Sequence, residues 1–374
     1  MPIKRDDTIG LLTLVSADNC GSLLQAYAMK YIFTSIVKKN AELIPFFPYK
    51  ARKMYRIFHA YMLKSLPNII RTIKFTPKII NQKKDYNFFR QNYLGINHFR
   101  LNNLKELISF QEKYKTICVG SDQVWNVNMA DFDEAYFLQN FSGKKIAYAA
   151  SLGGGEKIEV PENLRKYAPS IDKFSAISTR EPQGQKIIQT LTKKNIDVCI
   201  DPTLIVPEKE WDRIADKPLV NGDYIFFYSY NYKDEVLNTI VREASKKLSL
   251  PVYVINASRW IDSETKDFNL PNQGGPKAFL SLMKYAKYVF VQSLHGAIFA
   301  SIFKRHFWFL SNRDQDILDQ RSENILSLIN ARNRVLRPNI FEKINLEEKI
   351  DYKENDKLNK EREKSIIFLQ KALI

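Results

Sequence analysis

The chain has 374 residues, a net charge of +16, 45% apolar residues and 13% aromatic ones. That apolar content excludes a disordered chain, and the length exceeds what one core usually serves, so two domains are expected. No apolar run reaches the roughly 18–20 residues that cross a bilayer, and no repeat of solenoid period is present.

Lys4 and Arg5 precede an apolar run from Ile9 to Val15, but Asp6 and Asp7 interrupt it and no small-residue cleavage site follows. The run therefore reads as a first core strand, Thr8 to Val15, and not as a signal peptide. Gly21 to Lys38 has apolar residues at helical spacing, and Glu42 to Phe47 reads as a second strand. A basic, mostly helical insertion follows, at about residues 50–115. From Lys50 to Lys115 it carries 15 Lys and Arg against Asp85, Glu106 and Glu112. Its charges are interleaved with apolar residues, as in Met54-Tyr55-Arg56-Ile57-Phe58. That pattern suits an anionic membrane surface or a diphosphate-linked lipid. Nucleic acid is the competing reading, and a solvated basic face the plain one.

Strands are then expected at Thr116 to Gly120, Ile146 to Ser151, Phe174 to Ser178 and Ile196 to Ile200, with a helix from Pro182 to Lys193. Pro207 to Gly222 reads as the join. Beyond it come strands at Tyr224 to Tyr230, Val252 to Asn256, Tyr288 to Val291 and Phe307 to Leu310. Helices alternate with them at Glu235 to Leu248, Pro276 to Ala286, Ala297 to Phe303 and Glu323 to Ile329. This alternation predicts an α/β protein of two doubly wound Rossmann-like domains facing across a cleft. The first covers residues 1–215, including the insertion, and the second 216–345. Residues 346–374 read as a final amphipathic helix packing back on the body.

Ligands of open α/β sheets bind at the carboxyl ends of strands, and five polar motifs fall there. Asp18-Asn19-Cys20-Gly21-Ser22, with Gln25 behind it, offers a helix cap and a close backbone approach. Gly120-Ser121-Asp122-Gln123-Val124-Trp125-Asn126 offers Asp122 as a base or hydroxyl-orienting group and Trp125 as a face for a sugar. It reads otherwise as a capped turn with Trp125 in the core. Ser178-Thr179-Arg180-Glu181-Pro182 offers an arginine fork for carboxylate or phosphate beside Glu181, or else a structural ion pair. Asp201-Pro202-Thr203 reads as a capped turn. Ser293-Leu294-His295-Gly296 puts a histidine, able to move protons near neutral pH, at a strand-to-helix corner suited to an anion. Arg313 and Arg321 follow and would complete an anion site. The three isolated cysteines, Cys20, Cys118 and Cys199, form neither a disulfide framework nor a zinc pattern and fit a reducing cytosol. No Walker, nucleophile-elbow or dinucleotide motif is present.

In this order the motifs resemble the polysaccharide pyruvyl transferase family, the second and fifth being the specific ones. The resemblance implies a GT-B-like fold and transfer of pyruvate from phosphoenolpyruvate to two hydroxyls of one sugar, giving a cyclic ketal. Known members decorate exopolysaccharides, capsules and cell-wall polymers. His295 would be the donor-side acid, and Asp122 or Glu181 would serve the acceptor. Arg180, Ser293, Gly296, Arg313 and Arg321 are the expected donor contacts. Asn19, Gly21, Ser22, Gln25, Ser121, Gln123 and Trp125 are the expected acceptor contacts. Several members carry arginine where this chain has Ser293, and a bulky aromatic where it has Cys20. No metal and no cofactor beyond the phosphoenolpyruvate co-substrate is implied, and no nucleic acid. The acceptor class includes an undecaprenyl-diphosphate-linked oligosaccharide, which would place the protein in the cytoplasm at the inner face of the membrane. A GT-B glycosyltransferase using a nucleotide sugar is the alternative.

Overall fold

The computed structural model describes residues 7–154, 160–256, 267–311, 318–352 and 355–374. Short apolar runs rich in β-branched and aromatic residues form its strands. In the first sheet these are β1 (Ile9–Leu12), β2 (Ala41–Leu43), β3 (Thr116–Asp122), β4 (Lys144–Ala150), β5 (Ala176–Thr179) and β6 (Ile196–Val198). The second contains β7 (Ile225–Tyr228), β8 (Val252–Tyr253), β9 (Phe268–Asn269), β10 (Tyr288–Val291), β11 (His306–Leu310) and β12 (Val335–Leu336).

Every pairing is parallel. The strand orders are β2-β1-β3-β4-β5-β6 and β12-β11-β10-β7-β8-β9. In each sheet the chain runs outward one way, returns past its first strand and continues on the other side. The order therefore reverses between β1 and β3, and again between β7 and β10. A crevice opens at the carboxyl ends of strands where such a reversal occurs. The two-residue strands β9 and β12 have no counterpart among the expected strands, because neither lies in a longer apolar run as the equally short β8 does in Val252-Tyr253-Val254-Ile255.

The sheets belong to two compact units. One comprises Met1–Tyr55, Arg90–Val206 and Asp356–Ile374; the other comprises Arg56–Phe89 and Pro207–Asn355. The core of the first unit gathers Leu12, Ile117, Val119, Ala147 and Ile177 with an aromatic stack of Trp125, Phe137 and Tyr167. That of the second gathers Ile225, Phe227, Val241, Phe290, Trp308 and Leu310.

Residues 56–89 are thus inserted in the sequence of the first unit but grouped with the second. The Leu66–Phe89 helix shows why. Its Thr72, Ile79, Gln82, Tyr86 and Phe89 are buried at helical spacing, and it packs on the Gly275–Tyr285 helix. The Lys78 amine donates to the Leu270 carbonyl, Gln82 Nε2 to Ile255 O at 3.4 Å, and Gly274 N to Asp85 at 2.8 Å. A Cβ on Gly274 would strike the Gln82 side chain, so glycine permits this approach.

The closing Asp356–Ala372 helix packs on the first unit. Ser365 Oγ accepts from Ile200 N at 3.0 Å, and Arg362 Nε donates to Leu204 O at 2.7 Å. Those bonds brace both sides of Asp201. No helix among the described residues is long and apolar enough to cross a membrane.

Cys20, Cys118 and Cys199 are all buried. Burial pushes the Cys118 thiol up and the Cys199 thiol up to about 12. The thiolate is the reactive form, so a thiol reagent at pH 8 is expected to leave Cys118 and Cys199 unmodified in the native protein. In denaturant all three should react rapidly, and mass spectrometry of the labelled peptides reads the difference.

Candidate functional site

Four of the five motifs end on strands of the first sheet, and their side chains meet. β3 ends at Asp122, whose φ of +66° is a left-handed conformation that aspartate tolerates better than most residues. Its Oδ1 accepts from Gln123 N at 2.9 Å, fixing the turn, and its Oδ2 accepts from Ser22 Oγ at 2.7 Å. Just before it, Gly120 has φ +109°, and a Cβ there would strike the Tyr148 carbonyl. Ser22 lies in the first turn of the Cys20–Tyr31 helix, which Asn19 caps by accepting from Ser22 N at 3.2 Å.

Past β5, Arg180 Nε donates to Glu181 Oε1 at 2.8 Å. Its Nη1 donates to Asp201 Oδ2, beyond β6, at 2.9 Å and lies 3.6 Å from Asp122 Oδ1. Ser151, at the end of β4, donates to Glu181 Oε1 at 3.0 Å. Arg180, Glu181, Asp201 and Asp122 are all at most 5% exposed. Burial works against the Arg180 charge, but Glu181, Asp201 and Asp122 outweigh it and hold the guanidinium firmly protonated. One buried cation thus joins three carboxylates.

Several expected ligand contacts are supports instead. Trp125 is wholly buried, stacks on Phe137 at 5.6 Å and donates from Nε1 to Tyr136 O at 3.1 Å, so it offers no face to a sugar. The loop turns inward at this point, where Trp125 N donates to Ser151 O. Gln25 and Ser121 are also wholly buried: Gln25 accepts from Thr13 at 3.0 Å, and Ser121 Oγ donates to Ala149 O at 2.9 Å. Gly21 is buried within its helix. Asn19 and Gln123 remain partly exposed, Gln123 accepting from Asn126 at 2.9 Å. Arg180 spends its fork on the protein's own carboxylates, and three negative charges around it disfavour an incoming anion there.

The fifth motif lies in the second unit, at the other reversal point. Ser293 caps the Leu294–Ile302 helix by accepting from Gly296 N at 3.2 Å. The helix begins three residues earlier than the apolar run suggested, so His295 sits in its first turn, 9% exposed. A Cβ on Gly296 would come within 2.8 Å of the Val291 side chain, so glycine lets this turn settle on β10. Beside it, at the ends of β7 and β10, Ser229 Oγ donates to Gln292 Oε1 at 2.6 Å. The Gln320–Leu328 helix packs against the His295 helix and carries Arg321, whose Nε donates to the capping Asp319 at 3.2 Å. Arg313 lies outside the described residues.

Three residues without a place among the expected contacts hold the sites together. Asp201 is both the turn cap, accepting from Thr203 N at 3.0 Å, and the partner of Arg180. Ser151 closes the Glu181 carboxylate. Arg90, 2% exposed, donates to the carbonyls of Val15, Ser16 and Ala17 and pairs with Asp18 at 2.7 Å. It fixes the loop leading to Asn19 from 72 residues away, beyond the reach of any local motif.

A family model described as polysaccharide pyruvyl transferase matches residues 19–315, which take in the first motif from Asn19 onward and the other four whole. The chain belongs to the polysaccharide pyruvyl transferase family. No curated protein sequence matches it. Among solved structures, this family member resembles UDP-GlcNAc 2-epimerase of Methanocaldococcus jannaschii in complex with UDP-GlcNAc and UDP. The identity is 12%, the coverage 97% of this chain and 98% of that one, and the TM-score 0.54. A second structure of the epimerase from that organism, with the same identity and coverage, gives a TM-score of 0.53. At such identity the likeness concerns the fold alone: two Rossmann-like domains of the GT-B-like class.

In this pyruvyl transferase family member, replacing Arg180 by Met would strand three buried carboxylates. A loss of about 3–5 kcal/mol is expected in urea unfolding. Adding Glu181→Gln and Asp201→Asn to that variant should recover part of it. Gly296→Ala should lift the His295 turn from β10 and cost about 1–3 kcal/mol, the usual penalty of overpacking.

Proposed function

We propose that the protein transfers pyruvate from phosphoenolpyruvate to two hydroxyls of one sugar, forming a cyclic ketal and releasing phosphate. Family membership carries this reading, because the matched segment embraces both sites. Their chemistry supports it. A carboxylate accepts hydrogen bonds from sugar hydroxyls and can take a proton from one. A helix N-terminus carrying a histidine suits an anionic donor.

In the proposed reaction His295 protonates the methylene carbon of phosphoenolpyruvate, leaving a carbocation at C2 stabilised by its oxygen. One sugar hydroxyl adds to C2 and gives its proton to Asp122 or Glu181. The C2–O bond to phosphate breaks and the second hydroxyl adds to C2. Of the two hydroxyl protons, one in effect replaces that spent on the new methyl group and the other leaves with phosphate. The scheme balances without a resident cofactor. Where other members use arginine before the histidine, Ser293 supplies a cap, so positive charge for the donor falls to the helix terminus and Arg321.

We assign as acceptor a sugar in a polymer precursor, the lipid-diphosphate-linked oligosaccharide being the form we favour, modified at the cytoplasmic face. Phosphoenolpyruvate should raise the melting temperature, and incubation with a galactoside or lipid-linked acceptor should release phosphate and give an acid-labile ketal. His295→Ala should lower kcat by about 10²–10⁴-fold with an unchanged melting curve. Stabilisation by UDP or a UDP-sugar, with none by phosphoenolpyruvate, would instead point to a nucleotide-sugar transferase.

A further inference from the structure

The Leu66–Phe89 helix buries one face, but its opposite face is apolar as well. Leu66, Ile70 and Ile73 follow one another at helical spacing and are 69%, 58% and 70% exposed. Phe58 and Leu63, just ahead of the helix, are 57% and 69% exposed. Seven of the fourteen exposed large apolar side chains among the described residues fall between Tyr49 and Ile73. Scattered exposed apolar residues need no explanation, whereas a concentrated stripe does.

The charge around the stripe is of one sign. From Leu43 to Lys84 the sequence has ten Lys and Arg and no acid. Arg56, Lys64, Arg71 and Lys74 bracket the exposed apolar residues in the sequence, and Lys64 and Lys74 are themselves exposed.

We propose that this face, Phe58 and Leu63 through Ile73 with its basic flanks, docks the protein on an anionic lipid bilayer. Aliphatic side chains at 3–4-residue spacing insert shallowly along one side of a helix lying in the interface, while lysines meet the headgroup charge. A second copy of the same face would bring seven like charges from residues 56–84 against seven more, which disfavours self-pairing. Nucleic acid would use the lysines but has no use for an aliphatic stripe. The inference stands on exposure and charge and does not depend on the reaction proposed above.

The test is co-sedimentation of the full chain with vesicles of phosphatidylcholine alone or with one third phosphatidylglycerol. Binding is expected only to the anionic vesicles. The triple variant Leu66→Gln, Ile70→Gln, Ile73→Gln should weaken partitioning about tenfold or more, by loss of apolar burial. Lys64→Gln and Lys74→Gln should each weaken it about fivefold, the worth of one lysine at such a surface. Val236→Gln, an exposed apolar change on the Glu235–Leu248 helix, should leave it unchanged. Equal binding by wild type and both classes of variant would overturn the proposal. So would equal binding to neutral vesicles, or a stripe-dependent dimer that shows no lipid partitioning.

Discussion

The first unit is organised around one guanidinium. Arg180 lies at the end of β5, takes Glu181 from its own turn and Asp201 from beyond β6, and faces Asp122 at the end of β3. Through Asp122 it reaches Ser22, and through Glu181 it reaches Ser151. Five strand ends, counting β1 through the helix that Ser22 opens, are tied to a single buried cation. Such a cluster tolerates no missing partner, because an isolated charge in a protein interior costs far more than the pair contributes. The same constraint sets its character. With three carboxylates to one arginine, the cluster is acidic.

The second unit is built to the opposite electrostatic sense. Its strand order reverses at β7 and β10, and a helix N-terminus begins immediately after β10. The macrodipole puts partial positive charge at that point. Ser293 satisfies one N–H of the turn, Gly296 removes the bulk that would hold the turn off the strand, and His295 is left inside it. On the proposed reaction this division is what a two-substrate transfer needs. An anionic donor is disfavoured by the acidic cluster, and a neutral sugar gains little from a helix dipole.

Much of this was legible in the sequence because the strands are short apolar runs that end in polar motifs. All six strands of the first sheet and four of the second could be read from that contrast. β9 and β12 could not, because neither lies in an apolar run like the one that continues past the equally short β8. The site was harder to read for a different reason. A motif tells which residue types gather at a strand end but not which way each one turns. Trp125 and Asp122 stand three positions apart in one loop, and only Asp122 joins the polar cluster, while Trp125 closes the core on Phe137. Arg180 was visible as a fork, but the carboxylate it meets at Asp201 belongs to a different strand, so the sequence suggested an anion site where the fold makes an ion-pair cluster. Arg90 carried no signal at all, since its targets are backbone carbonyls, which every residue has.

The allegiance of the basic insertion follows from the same distinction between pattern and partner. A buried face at Thr72, Ile79, Gln82, Tyr86 and Phe89 is readable as helical spacing, but only the fold reveals that it packs on the Gly275–Tyr285 helix. The opposite face stays exposed at Leu66, Ile70 and Ile73, and the sequence around it has no acid until Asp85. Asp85 is spent on the Gly274 amide. The helix ends at Phe89, and the next residue, Arg90, is the guanidinium that holds the carbonyls of Val15, Ser16 and Ala17 ahead of Asn19. One continuous stretch of chain therefore carries an exposed apolar and basic face, a face that packs on the Gly275–Tyr285 helix, and the arginine that holds the carbonyls of Val15, Ser16 and Ala17.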